Sequence, residues 1–433
     1  MIVGLRAVPA CLDVEQHPFA VPAGSLEAHV QAYDHLLGCA LRTGLDGARE
    51  ANPEAPEPAL ATAYDVSRDG RTYAFSLRRG VCSGHGSELT AHDVKWSWER
   101  AFALGSHSAR LARSLGMASP DAMRTAGNYD VRVHLDEPRL AFPAALAGPL
   151  LPVYDLETVK QHCPVGDPWG HQWLRSHAAG FGPYVAEVTA PGEEILLRGN
   201  DRWWRGPLRV HRVLLRAIAA DAQRAGALRS GTVDVVGDLG AADLNRLAAC
   251  PGLHLDGRQA WQPLALRIDP AFAPFSEPRV RAALSLALPY TDLPHPPHGA
   301  AQDLRRARSL LRDGGYGAGF RATLSLADGQ PELATVARLI QQACMRLELK
   351  LVVELLSPVA FAARKGSRQL PLYVETCPQL SAAVSPGALD PLPQVEQVPL
   401  GTLPRQLAAR FALDGVAHWP DGYARFADFR PSV

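Results

Sequence analysis

The sequence predicts an α/β fold with more than one sheet. Strand-like and helix-like segments alternate in both halves of the chain, which favours this class over an all-α or all-β protein. The 433 residues are 47% hydrophobic and 20% charged, a globular composition that excludes a disordered, collagen-like or coiled-coil chain. At about 100–200 residues per domain, the length allows about two to four domains.

The first hundred residues predict a helix, a linker, a hairpin and a second helix. Ser25 is the expected N-cap of a helix over residues 25–37, and the proline-rich residues 46–59 are expected to form a loop. Alternating segments at 61–67 and 72–77 flank an Asp-Gly turn, the strongest short signal for a β-hairpin. Thr90 then opens a helix with a capping box.

The remaining elements follow from apolar periodicity and from proline and glycine boundaries. Residues 376–403 carry little periodicity. The predicted strands are 2–5, 129–135, 184–188, 194–198, 211–217, 233–236, 261–268, 321–326 and 350–355, and the predicted helices are 140–147, 221–230, 241–249, 278–287, 304–312 and 331–347.

Charge and hydropathy restrict partners and location. Lys plus Arg equals Asp plus Glu at 44 each, so a nucleic-acid partner held by bulk electrostatics is not expected. No apolar run reaches the roughly 20 residues of a membrane span, and the N-terminus lacks the basic and apolar regions of a signal peptide. We therefore expect a cytoplasmic location if Met1 is the native start, and a periplasmic or cell-surface location if the chain has been trimmed.

Common motifs for catalysis, metals and cofactors are missing from the sequence. The seven cysteines are widely spaced without CxxC, which favours isolated thiols over a disulfide framework. His171 and His177 are six residues apart, a spacing that favours surface histidines over metal ligands. The glycine-rich residues 315–320 follow a helix and predict a helix end, not a phosphate cradle. Cys82 and His85 leave a catalytic loop open as an alternative, but a structural loop is favoured, and we predict no catalytic residue, metal or cofactor.

Five blocks of sequence occur in a fixed order. They are SRDGRTYAFSLRRGV with LTAHDVKWSWERA (67–81 and 89–101), GFGPY (180–184), AGALRSGTVD (225–234), APFSEPRVRAAL (273–284) and ARSLLRDGG (307–315). Together they resemble the extracellular solute-binding proteins of family 5, the peptide-, dipeptide- and nickel-binding receptors of ABC importers. Most of these motif residues serve the fold and do not identify a ligand.

The resemblance implies a two-lobed, periplasmic-binding-protein-like fold of type II, with a hinge and a small inserted domain. Lobe I would comprise residues 1–42, 150–258 and 404–433, the inserted α/β subdomain residues 43–149, and a shortened lobe II residues 259–403. Proteins of this type close around a ligand by hinge motion.

The function implied by the resemblance is capture of a small, peptide-like or amino-acid-derived ligand, with an ABC permease as partner if the protein is exported. Two departures, the N-terminus without a signal and a Pro/Ser/Ala-rich stretch after Tyr373, keep a cytosolic biosynthetic enzyme or carrier open as the alternative. A sensor or scaffold is a weaker third hypothesis. Taken singly, each candidate residue fits a structural role better than a binding role, so the prediction concerns the set: Phe19, Tyr33, Asp34, His35, Trp261, Gln262, Glu375 and Asp390.

Overall fold

The computed structural model describes residues 1–16, 25–43, 49–149, 151–255, 260–294, 296, 300–328, 330–376, 397–413, 416–419 and 423–430. The chain divides into two compact units. The first comprises Met1–Ala260 and Arg405–Val433, and the second comprises Trp261–Pro404. The fold is mixed α/β, as the alternation of elements predicts.

Strands and helices alternate through most of the chain. The strands are β1 (Ile2–Leu5), β2 (Leu37–Thr43), β3 (Arg49–Pro58), β4 (Ala61–Val66), β5 (Thr72–Leu77), β6 (Met123–Ala126), β7 (Asp130–His134), β8 (Tyr184–Ala190), β9 (Glu194–Gly199), β10 (Arg212–Ala217), β11 (Val235–Val236), β12 (His254–Leu255), β13 (Ala260–Ile268), β14 (Phe320–Ala327), β15 (Leu349–Leu356), β16 (Leu372–Thr376), β17 (Gln397–Arg405), β18 (Ala408–Ala409) and β19 (Ala417–His418). The helices are α1 (Ser25–Ala32), α2 (Ala91–Leu104), α3 (His107–Ser114), α4 (Phe142–Leu146), α5 (Leu156–Gln161), α6 (His171–Leu174), α7 (Asp221–Ser230), α8 (Ala241–Ala248), α9 (Pro278–Ala287), α10 (Leu304–Asp313), α11 (Pro331–Met345) and α12 (Pro358–Gly366).

The first unit contains three sheets. The largest has seven strands in the order β12-β18-β11-β1-β10-β9-β8, a second has the order β4-β5-β7-β6, and a third has the order β19-β3-β2. Strand β1 pairs in parallel with both β10 and β11. Because it is central in its sheet, the side chains of Val3 and Leu5 are almost completely buried.

The second unit is built on one five-stranded sheet with the order β15-β14-β16-β13-β17. Helices α9, α10 and α11 contribute apolar side chains to a single core with this sheet. In α11, Leu333, Val336, Ala337 and Ile340 recur at helical spacing, and all four are buried.

The hairpin and helix predicted around the Asp-Gly turn are confirmed. Gly70 adopts a φ of 69°, and its N–H donates to the carbonyl of Ser67 at 2.9 Å. Strands β4 and β5 pair antiparallel on either side of this turn. At the start of α2, the backbone N–H of Thr90 donates to the Asp93 carboxylate at 2.7 Å, and Trp98 on the same helix is 1% exposed.

Two element predictions are wrong. The helix expected over residues 25–37 ends at Ala32, because the backbone N–H of Gly182 uses the Ala32 carbonyl at 3.1 Å and the chain then enters β2. Residues 46–59 are not a loop in their described part, because β3 pairs with β2 along Arg49–Pro58. The register is irregular between Cys39 and Ala40 on the partner strand, and Pro53 of β3 falls within this break.

The described residues also show the state of the cysteines, of potential metal ligands and of the helices as possible membrane spans. The six cysteines they contain are unbonded. No group of three or more His, Cys, Asp or Glu side chains in this part of the chain is arranged to hold a metal ion. None of the described helices combines the length and the apolar character of a membrane span.

Candidate ligand-binding site

Asp34 is the best-defined of the predicted binding residues. It lies in the short connection between α1 and β2, in the first unit. Its Oδ2 accepts the indole N–H of Trp203 at 3.0 Å and that of Trp204 at 2.7 Å. Withdrawal from water raises the pKa of Asp34, although Arg205 and the two indole N–H groups act in the opposite direction.

A tight turn after β9 places both indoles against Asp34. The buried Asn200 begins this turn and donates its side-chain amide to the carbonyls of Cys82 and Gly182, at 3.1 and 3.2 Å. Its own carbonyl accepts the backbone N–H of Trp203 at 3.0 Å. The turn is thus fixed by contacts to two separate segments, as expected of a residue on which the local fold depends.

Two arginines lie over the ring of Trp204. The guanidinium carbons of Arg78 and Arg205 are each 4.4 Å from its centroid, within the range of cation–π contacts. Arg78 is half-buried and donates Nε to the carbonyl of Ala59 at 3.3 Å, whereas Arg205 is exposed. We call the residues Asp34, Arg78, Trp203, Trp204 and Arg205 the Asp34 cluster.

Tyr33, the neighbour of Asp34, lies in the hydrophobic core and is 3% exposed. Its ring meets Tyr154 edge-on at 4.9 Å. A Cβ at Gly180 would lie 2.5 Å from Tyr33 Cδ1, and one at Gly182 would lie 2.6 Å from the Ala32 carbonyl carbon. Both glycines of the GFGPY block are therefore needed for the close approach that orients residues 32–34.

His35 is half-buried and pairs its backbone carbonyl with the N–H of Leu60 at 3.1 Å. Its ring centroid is 6.5 Å from that of His29, whose ring lies 4.6 Å from Tyr33. Burial lowers the pKa of His29 to about 3, so this imidazole is neutral at physiological pH. The predicted binding residues Asp34 and His35 therefore lie next to the uncharged rings of His29 and Tyr33.

Glu375 lies in the second unit, on β16, and is buried between two cations. Its Oε1 accepts Arg267 Nε at 2.9 Å, and its Oε2 pairs with Lys365 Nζ. Burial alone would raise the pKa of Glu375, but the Lys365 ammonium and the Arg267 guanidinium lower it below its ordinary value. The carboxylate is therefore charged at neutral pH, and both of its oxygens are engaged.

The other predicted residues have little or no structural description. Phe19 and Asp390 lie outside the described residues, and only the backbone of Trp261 and Gln262 is described, on β13 as expected. The contacts of Trp203 and Trp204 with Asp34 were not predicted from the sequence. The sequence does contain a signal for this contact, which is the adjacent pair Trp203-Trp204. Buried indole N–H groups usually find a hydrogen-bond acceptor, so an acidic residue nearby was to be expected.

Comparison with known proteins finds similarity to bacterial binding proteins. A family model described as bacterial extracellular solute-binding proteins, family 5, middle part, matches residues 55–294, which is over half of the chain. Heme-binding protein A of Haemophilus influenzae is 25% identical over 246 residues, covering 54% of this chain and 44% of that protein. Glutathione-binding protein GsiB of Salmonella typhimurium is 25% identical over 314 residues, covering 67% of this chain and 59% of that protein. The chain therefore spans about half the length of the curated relatives it matches.

Likeness to solved structures covers nearly the whole chain. The periplasmic binding protein DppA of Helicobacter pylori, in complex with the peptide STSA, has a TM-score of 0.69 and 20% identity, over 99% of this chain and 97% of that one. At this identity the likeness shows the fold, which is that of type II periplasmic binding proteins. The relatives are named as binding proteins, so the comparisons give no support to the alternative of a biosynthetic enzyme or carrier. The chain belongs to the bacterial extracellular solute-binding proteins of family 5.

Proposed function

We propose that the protein is a solute-binding receptor that captures a small peptide-like or amino-acid-derived ligand for an ABC importer. The observation that carries this proposal is the family match over residues 55–294, combined with the fold likeness along nearly the full chain. Relatives named for glutathione and peptide binding support this ligand class. As the family is described as extracellular, we place the protein outside the cytoplasmic membrane, where an ABC permease would be its partner.

The proposed ligand contacts are the predicted set. Asp34 and His35 would supply polar contacts from the first unit, beside Phe19 and Tyr33. Trp261, Gln262, Glu375 and Asp390 would supply contacts from residues 259–403, the proposed lobe II. Because Glu375 already faces two cations, a ligand ammonium bound there would share the carboxylate with them.

Thermal unfolding with added ligands tests the proposal. The full chain is heated alone and with glutathione, the tetrapeptide Ser-Thr-Ser-Ala, or haem as a ligand of a different class. A ligand at about 100 times its Kd stabilises the folded state by about 2.7 kcal/mol, a clear rise in Tm. We expect a rise with a peptide-like ligand, and native mass spectrometry should find a molecule of that class retained by protein from its own host.

The contact set is tested with a matched pair of variants. Gln262→Ala should weaken ligand binding about 5- to 150-fold, because the loss of a hydrogen bond in a binding site costs about 1–3 kcal/mol. Gln172→Ala, at an exposed position on α6, should leave it unchanged. Stabilisation by haem alone, or retention of no small molecule by the native protein, would contradict the proposed ligand class.

A further inference from the structure

The Asp34 cluster contains two arginines that form no ion pair with a described residue, although Arg205 interacts electrostatically with the Asp34 and Asp428 carboxylates. Among the described residues, no carboxylate oxygen lies within 4.0 Å of a guanidinium nitrogen of Arg78 or Arg205. The Asp34 carboxylate, the acid of this cluster, is instead engaged by two uncharged indole N–H groups. The five side chains therefore carry two positive charges and at most one negative charge.

The two guanidiniums are held close together. Each is 4.4 Å from the centroid of Trp204, so their central carbons are separated by no more than twice that distance. This separation is comparable to the Debye length at physiological ionic strength, so their repulsion is not fully screened. An anion between or beside them would relieve it.

Stacking on Trp204 also orients the two guanidiniums for binding an anion. An arginine lying on an aromatic face keeps its in-plane N–H donors available, and these donors match the two oxygens of a carboxylate. Arg205 also lies against β2 where Gly38 has no side chain, since a Cβ there would be 3.5 Å from Arg205 Nη2. Ordering the side chains before binding lowers the entropic cost of capturing an anion.

We propose that Arg78 and Arg205, ordered on Trp204, bind a carboxylate of the ligand. This inference rests on the proposed receptor function and specifies the ligand further. The ligand then carries at least one carboxylate that reaches the Asp34 cluster, as an amino-acid-derived or peptide molecule with a free carboxyl end would.

Iodide quenching of tryptophan fluorescence tests this without knowledge of the natural ligand. The Trp204 contribution is the difference between the wild type and Trp204→Phe. Because cations concentrate anions locally, iodide should quench this contribution at least about threefold more strongly in the wild type than in Arg205→Gln or Arg78→Gln. Arg79→Gln is the matched control, since Arg79 lies 4.8 Å from the ring of Tyr129, outside the cluster.

Competition identifies the anion. Sodium succinate should protect Trp204 from iodide, whereas sodium chloride at equal ionic strength should not. Equal quenching in all variants would overturn the inference, and so would stronger protection by inorganic phosphate than by succinate. Arg205 is exposed, so its variant should fold even if Arg78→Gln does not. The quenching assay can be interpreted even if no ligand is found by thermal unfolding. If a peptide binds the wild type and binds Arg205→Gln and Arg78→Gln equally well, this inference is refuted and the receptor function stands.

Discussion

Replacing Arg100 by methionine is expected to destabilise the first unit strongly, because the change leaves a buried carboxylate without its cation. Arg100 Nη1 donates to Asp13 Oδ1 at 3.0 Å, Nη2 pairs with Oδ2, and both side chains are fully buried. Burial alone would lower the pKa of Arg100, but the adjoining Asp13 carboxylate raises it above its ordinary value. The pair joins the segment before α1 to helix α2.

The expected loss is about 3–5 kcal/mol, the usual cost of removing one partner of a buried ion pair. The matched control is Arg139→Met. Arg139 pairs with Glu137 at 2.5 Å, but the two side chains are 43% and 60% exposed. Exposed pairs contribute about 0–1 kcal/mol, so this control should change little.

Urea unfolding followed by tryptophan fluorescence measures the difference. Seven of the eight tryptophans lie in the first unit, so the signal reports mainly on that unit. They are Trp96, Trp98, Trp169, Trp173, Trp203, Trp204 and Trp419. The double variant Asp13→Asn, Arg100→Met should recover part of the loss, because the buried Asp13 charge is then removed together with its partner.

The argument is refuted by either of two results. Arg100→Met could prove no less stable than Arg139→Met, or the double variant could be less stable than Arg100→Met alone. Either outcome would mean that packing around the guanidinium, and not the isolated carboxylate, determines the cost.

Substitutions at four other positions have clear expected outcomes. Gly182→Ala should lower Tm sharply, because the added Cβ would lie 2.6 Å from the backbone of Ala32. Gly226→Ala in helix α7 should raise the free energy of unfolding by up to about 1 kcal/mol, because the added Cβ would have no neighbour within 4 Å. Glu375→Gln should destabilise at neutral pH. The folded-state pKa of Glu375 is below its unfolded value of 4.5. The stability difference between wild type and variant should therefore persist at pH values above 4.5 and shrink as the pH falls through the folded pKa. Thermal melts across pH measure this difference. Asp34→Ala should cost about 1–3 kcal/mol for each indole N–H left unpaired, and Asp34→Asn, which keeps an acceptor, should recover much of it in urea unfolding.

Local chemistry determines how much of the fold can be predicted. The Asp-Gly turn, the capping box at Thr90 and the bounds of helix α7 depend on a few neighbouring residues, and each is confirmed. The boundaries of α9 are also predicted correctly, since Pro278 begins it. Helix α1 was predicted too long because its end depends on a contact to Gly182, about 150 residues away, which periodicity does not encode.

The candidate site was less predictable for the same reason. Asp34 could be selected as a polar residue beside an apolar helix, but its partners Trp203 and Trp204 come from a distant turn. The cations that face Glu375 are separated from it by 10 and 108 positions, on α12 and β13. Side-chain networks of this kind follow from the topology of the sheets, and only the assembled structure brings their members together.

The position of β18 in the seven-stranded sheet affects how the chain folds during synthesis. This strand lies between β11 and β12, which precede it by about 150 residues or more. At about 5–20 residues per second, a ribosome needs roughly 8–30 s to reach it after β12 has been made. The nascent protein therefore carries two unpaired strand edges while residues 261–404 are still being synthesised, and this interval is when a holdase chaperone would be most useful.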